Sequence, residues 1–357
     1  MTPGQLKGTL LEYLVRRLLE NCGFNSVKPD GHYIYEQNGT GLFYINGKGA
    51  AHDADVLMEP PIQLPFSYPS RLLFECKAYQ NTVGLGVVRN ALGLRYDINE
   101  FEIVTDESIQ KRKNNRRANY AISDRKRFNY QVGVATVEPF SAAAFEFAAN
   151  NKIPLLSFRW LLPDNICNLF HAISLPYLNS IRQPLRNNLY SYLKNKKRDA
   201  RYEYDGVNGF IQSDNTVGAI IRSFESVIDR SFIGLIETGD LIFLFADEND
   251  TKNILFEQTR FEGLRAQIHY YRNQPNQWIL ELTDARNNRN SEFKFFVPDR
   301  IMRMWKEFSL DKTVAINLKE QFFSRIFIFT RQHDRRRLPF IVVTIDREWL
   351  DYIREQD

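Results

Sequence analysis

Cysteine is scarce in this chain: Cys22, Cys76 and Cys167 are the only three in 357 residues, with no Cys-x-x-Cys pair and no neighbouring histidine. An odd number of distant cysteines excludes a disulfide framework and the usual structural zinc pattern, and it suits a reducing cytoplasm. Long apolar runs are also missing. The opening MTPGQLKGTLLEYLVRRLL has no continuous apolar stretch bounded by small residues, so neither a secretory leader nor a membrane partner is expected. Charge of one sign is not in excess. With 47 Lys+Arg against 43 Asp+Glu the formal charge is only +4, so local clusters rather than bulk electrostatics must carry any argument for a nucleic-acid partner. There is no internal repeat, and no nucleotide cofactor is expected.

What the chain does have is apolar substance. It is 43% hydrophobic and 13% aromatic, enough to build real cores and too much for a disordered chain. Its length exceeds the roughly 250 residues at which one core stops growing efficiently, so two domains are expected.

Leu6, Leu10, Leu14 and Leu18 recur every fourth residue, which predicts an amphipathic helix over 5–21 closed by Gly23. The stretch HYIYEQNGTGLFYING alternates around Asn38 and Gly39 and predicts a hairpin leading into HDADVL. RLLFECKAY reads as a buried strand and VVRNALGLRYDI as a helix. The segment from YQVGVATVEP to PLLSF reads as strand, helix and strand, with Ser141 as N-cap. LPDNICNLF breaks this pattern, which puts the boundary at 165. The first domain is then 1–165, and 166–357 is a second α+β domain with strands at GDLIFLFAD, QIHYYRN, QWILELTD, EFKFFVP, RIFIFTR and FIVVTI and helices near 215–230 and 298–308. Its role is expected to be DNA recognition or partner binding.

The chemistry sits in the first domain. Asp55 ends a predicted strand, and Glu75 and Lys77 lie two apart on another, so their side chains share one face. Hydrolysing a phosphodiester needs a hard divalent cation held by carboxylates, a water made nucleophilic beside it, and positive charge against the developing phosphorane. Asp55 and Glu75 would hold the metal, Lys77 would orient the water and steady the phosphate, and the backbone carbonyl of Cys76 could add an oxygen ligand. Asp53 lies two residues before Asp55 and in strand alternation shares its face, so the choice of ligand is open; His52 could stand behind either acid. The Cys76 thiol reads as a small buried strand group rather than a nucleophile.

GKGAAHDADVL followed by LLFECKAY resembles the PD-(D/E)xK nuclease superfamily, and the run HDADVL, ECKAY, VGLGVVRNALGLRYDIN is similar to Mrr-like bacterial restriction endonucleases. The resemblance covers about 1–160. It implies an α/β fold with a three-layer core around a mixed sheet, Mg2+ dependence with Mn2+ able to substitute, DNA cleavage, and a role in restriction or anti-phage defence. It favours Asp55 over Asp53, because the hydrophobic Val56 and Leu57 follow directly, and it gives Glu12 on the first helix as an additional metal or structural acid. The sequence departs from the best-known pattern in having no Pro before the first Asp. Glu12 also stands four residues before Arg16, the spacing of an exposed helical ion pair.

Lys111, Arg112, Lys113, Arg116, Arg117, Arg125, Lys126 and Arg127 face a single acid, Asp124, and predict a phosphate-binding stripe. KNKKRDAR at 194–201 and RQHDRRR at 331–337 are weaker versions. The leading expectation is therefore a Mg2+-dependent DNA endonuclease, with a homodimer favoured if one site per subunit cuts duplex DNA. The rivals are a catalytically quiet DNA-binding module of the same fold and a nuclease of RNA or branched DNA.

Overall fold

A computed structural model describes residues 1–29, 35–37, 43–63, 67–99, 128–194, 204, 206–246, 264–271, 273–284, 289–329 and 340–356. The eight basic residues of the 111–127 tract and the Asn38–Gly39 turn lie outside these residues, as does all of 331–337.

The chain opens with α1 (Pro3–Asn21). Thr2 caps it by accepting from the Gln5 amide, while the Gln5 side chain accepts from the Thr2 amide, a reciprocal box that satisfies two otherwise orphaned donors. Gly23, at φ 88°, supplies the left-handed turn that stops the helix. Then follow β1 (Asn25–Ser26), β2 (Tyr35–Gln37), β3 (Phe43–Asn46), β4 (Ala51–Asp53), β5 (Val56–Glu59), β6 (Ser70–Lys77), α2 (Leu85–Asn99), β7 (Asn129–Thr136), α3 (Ala142–Asn151) and β8 (Leu155–Ser157).

Five of these strands make one mixed sheet in the order β1-β5-β6-β7-β8. The pairs β1–β5 and β5–β6 are antiparallel, and β6–β7 and β7–β8 are parallel. Strand alternation sorts the two faces. Val56, Met58, Leu72, Phe74 and Cys76 join the core with α1, whereas Leu57, Leu73, Val132 and Val134 pack with Val88, Ala91 and Leu94 of α2 and with Ala144 and Ala148 of α3. Helices therefore cover both faces of the sheet. The strands β2, β3 and β4 form a separate three-stranded antiparallel sheet.

After this come α4 (Asp164–Ala172), α5 (Leu175–Ser180), α6 (Gln183–Lys194), α7 (Val207–Ser213) and α8 (Val217–Ile228). Sequence reasoning missed four of them and placed the domain boundary at 165, inside the first turn of α4. The interior continues across that boundary, because Leu10, Leu14 and Leu18 of α1 belong to one core with Cys167, Phe170, Leu189, Leu193, Ile220 and Phe224. The Arg16 guanidinium donates to the Leu193 carbonyl at 2.6 Å, and the Asn21 amide to the Ile228 carbonyl at 2.8 Å. The first helix is thus wrapped on two sides, which explains why it buries Arg16 and Arg17 as well as its leucines. An amphipathic reading expected one wet face.

The rest of the chain is a closed barrel in the order β10-β13-β12-β11-β15-β14-β9. Its strands are β9 (Ser231–Ile236), β10 (Leu241–Ala246), β11 (Leu264–Tyr271), β12 (Gln274–Asp284), β13 (Arg289–Phe296), β14 (Arg325–Phe329) and β15 (Phe340–Ile345), with α9 (Asp299–Glu307), α10 (Lys312–Phe323) and α11 (Arg347–Glu355) alongside. Trp278, Phe293, Phe295, Trp305 and Phe323 centre its core. Six of the strands were legible as alternating runs; closure was not, since it depends on the parallel pairing of β11 with β15. Trp160 stacks on Phe296 at 5.0 Å, and Arg303 binds Glu146 at 2.7 Å, so the barrel docks on the α3 side of the sheet.

Candidate active site

The site is built where two strand ends meet. β4 ends at Asp53, the chain bends at Ala54 and Asp55, and it enters β5 of the other sheet. The register Val56↔Phe74 then carries Asp55 to the level of Glu75, two residues before the end of β6. There the Asp55 carboxylate accepts the backbone N–H of Cys76 at 2.8 Å. On either side of Cys76, Glu75 and Lys77 share one face of the strand, and their side chains bond at 2.9 Å. The three residues expected to act together are brought together.

Their charges bear on one another. Burial pushes the Asp55 carboxyl up to about 7, helped by the negative charges of Glu12 and Glu75 and opposed by the Cys76 amide and Lys77. For Lys77, burial works to discharge the ammonium, but Glu75, their hydrogen bond and Asp55 outweigh it and hold its pKa above the ordinary value. The Cys76 thiol is pushed well up by burial and then by Asp55, Glu12 and Glu75, so it stays protonated in the core.

From α1, the charge of Glu12 bears on Asp55 and Cys76. Glu12 makes no ion pair with Arg16, which is committed to the Leu193 carbonyl. Instead its carboxylate binds Lys194 at the end of α6, at 2.8 Å.

Two candidates fall elsewhere. Asp53 and Asp55 do not share one strand's alternation, because the bend between them puts Asp53 opposite Tyr44 in the three-stranded sheet, exposed. His52 is bonded through Nε2 to Asp97 of α2 at 2.7 Å, and Asp97 also accepts from the Gly49 amide at 2.7 Å. The hydrogen bond from His52 holds the Asp97 carboxyl below its usual range. The glycines of this turn are explained by the same acid: a Cβ on Gly47 would lie 2.0 Å from an Asp97 oxygen.

Do these residues suit a divalent cation? Glu12, Asp55 and Glu75 are hard oxygen donors, and a carboxyl lifted to about 7 by burial and two neighbouring acids gains from a nearby cation. In this structure each acid is turned to a partner of the chain, Lys194, the Cys76 amide and Lys77 respectively. Among the described residues no group of three acid, imidazole or thiol side chains converges closely enough to hold an ion. The donor chemistry fits, although the three acids are not gathered at one point.

Sequence reasoning missed a second polar group along the same strand ends. Lys77 pairs with Thr136, and Thr136 with Ser157. Just beyond, buried Glu138 accepts from Arg159 at 3.0 Å and meets His171 Nε2 at 2.9 Å. No motif or spacing marks these residues in the sequence. They clamp α4 to the sheet and are already paired with one another.

No family model matches the chain, and no curated protein matches it either. A solved structure of a protein of unknown function is similar at 14% identity, covering 61% of this chain and 99% of that one, with a TM-score of 0.32. At that level the likeness carries no argument about fold or function. No described helix is long and apolar enough to cross a membrane.

Proposed function

We propose that the chain is a metal-dependent endonuclease that hydrolyses phosphodiester bonds, with DNA as substrate, on a restriction-endonuclease-like core. One observation carries this reading: Asp55, twenty residues from Glu75 in sequence, joins Glu75 and Lys77 around the Cys76 amide at adjoining strand ends. A mixed sheet with helices on both faces supplies the layers that such a core needs. Asp55 and Glu75 would hold a Mg2+ ion, with Mn2+ as substitute, and Glu12 is the third acid available. Bound there, the ion would supply Lewis-acid charge and an activated water.

The chain's own groups would do the rest. Lys77 keeps its proton, so it can hold a phosphate oxygen and orient the incoming water. The Cys76 amide fixes the direction of the Asp55 carboxylate. The basic stretch 111–127 would track phosphates, and cutting both strands of a duplex would call for a homodimer. Restriction or anti-phage defence in the cytoplasm is the setting this chemistry suits.

The test is to incubate the purified chain with linear duplex DNA, single-stranded DNA and RNA in Mg2+, Mn2+ or EDTA. Duplex cleavage that EDTA silences and that the Glu75→Ala variant lacks is expected. Preferential cleavage of RNA would move the substrate, and the absence of cleavage in every arm would favour a quiet binding module.

A further inference from the structure

Among the described residues, Lys194 ties Glu12 of the acid cluster to a helix beyond residue 165, and this contact is built rather than casual. Three consecutive residues at the end of α6 are tied to one stretch of α1: the Tyr192 hydroxyl meets that of Tyr13 at 3.2 Å, the Leu193 carbonyl accepts from Arg16 at 2.6 Å, and the Lys194 ammonium binds Glu12 at 2.8 Å. Arg16 and Leu193 are buried, so the backbone beneath Lys194 is fixed. The Glu12 side chain is only 13% exposed, which makes its charge costly without a partner. The usual account of a lysine in a helix's last turn is that it faces its own free carbonyls, but this one is spent on a carboxylate of another helix.

We infer that Lys194 is a positioning residue that occupies Glu12 in place of a divalent cation and must release it for the ion to gain its third carboxylate. The inference rests on the metal reading of Asp55 and Glu75. It makes the helices beyond 165 part of the site's control: Glu12 is shared between a lysine of one segment and an ion held by another, and the two cations compete because both draw on one carboxylate and repel each other across it.

The experiment uses the full chain and Mn2+ alone, read by electron paramagnetic resonance, without substrate. Lys194→Gln should tighten Mn2+ binding by roughly threefold to fivefold, the effect of removing a competing, partly exposed ion pair. In a Glu12→Gln background the same substitution should change nothing. A Lys194→Gln variant that binds Mn2+ equally or more weakly than a Mn2+-binding wild type overturns the inference and leaves the metal reading standing. A wild type that binds no Mn2+ overturns both. Lysine acylation of the unmodified chain, followed by mass spectrometry, needs no variant to fold: Mn2+ should speed labelling of Lys194 and leave Lys152 unaffected, and slower or unchanged labelling of Lys194 would refute the release.

Discussion

Asp55 and Cys76 are joined by one hydrogen bond, from the Cys76 amide to the Asp55 carboxylate at 2.8 Å, and it sets the acid between the residues that flank Cys76. Because the donor is backbone, no substitution at position 76 other than proline removes it. Asp55→Ala, Glu75→Ala and Lys77→Ala should each lower Mg2+-dependent duplex cleavage by on the order of 10²-fold or more while leaving the fold intact, since these groups serve a polar centre and not the packed core. Near wild-type cleavage by any one of them, alongside an unchanged circular dichroism spectrum, would remove that residue from the site.

The ionisation of Asp55 makes stability depend on pH. Its folded-state value of about 7 lies above the ordinary 3.8, so the fold holds this proton more tightly than the unfolded chain does. That contribution is fully present below about 3.8 and is lost as pH rises through about 7. Without divalent ions, thermal stability should therefore fall over this window more steeply in the wild type than in Asp55→Asn, which cannot ionise. Mg2+ should protect the wild type more at pH 8 than at pH 6. Parallel melting profiles for the two proteins would show that Asp55 does not titrate there.

The core that crosses residue 165 bears on dissection. A fragment of residues 1–165 would uncover the flank of α1 that packs on Leu189, Leu193 and Phe224. At roughly 1.5–3 kcal/mol per large apolar side chain exposed, the loss is comparable to the whole stability of a domain. The fragment should aggregate or melt well below a longer one that retains residues through 246. Cooperative melting of 1–165 at the longer fragment's temperature would place the boundary at 165 after all.

In the barrel, buried Lys319 lies 5.1 Å from the ring centroid of Trp349, 5.2 Å from Tyr270 and 5.9 Å from Trp278. Burial, and then Lys312, lowers its pKa from 10.5 to about 8. Folding thus favours the neutral amine, and this support is present above about 10.5 and lost as pH falls through about 8. Lys319→Met should raise the melting temperature at pH 7 by about 2–4 °C, with less gain at pH 10. A loss at pH 7 would mean that the attraction of the three rings outweighs the burial of the charge.

The strands and helices that carry the site were legible in the sequence because their signals are local. β6 is a continuous apolar run ending in charge, α3 begins at a capping serine, and Glu75 and Lys77 share a face by simple alternation. What stayed hidden depends on distant partners. Nothing around Glu12 says that its cation is 182 positions away. The bend at Ala54 and Asp55 divides one apparently continuous strand between two sheets, which undid the argument that Asp53 and Asp55 are equivalent. The helices α4 and α5 make no side-chain cap hydrogen bond, and the start signal that Ser174 and Pro176 do carry is short and stands before only six helical residues.

The wrapping of α1 also orders events in time. Residues 3–21 leave the ribosome before the groups that cover their second flank, from Leu189 to Ile228, which are translated roughly 10–40 s later at ordinary elongation speeds. Until then a leucine-rich helix with two buried-type arginines waits with one side uncovered. The nascent chain is therefore a substrate for chaperones over that interval, and synonymous codon changes that slow translation between 165 and 230 should cost soluble yield more than equal delays within the barrel.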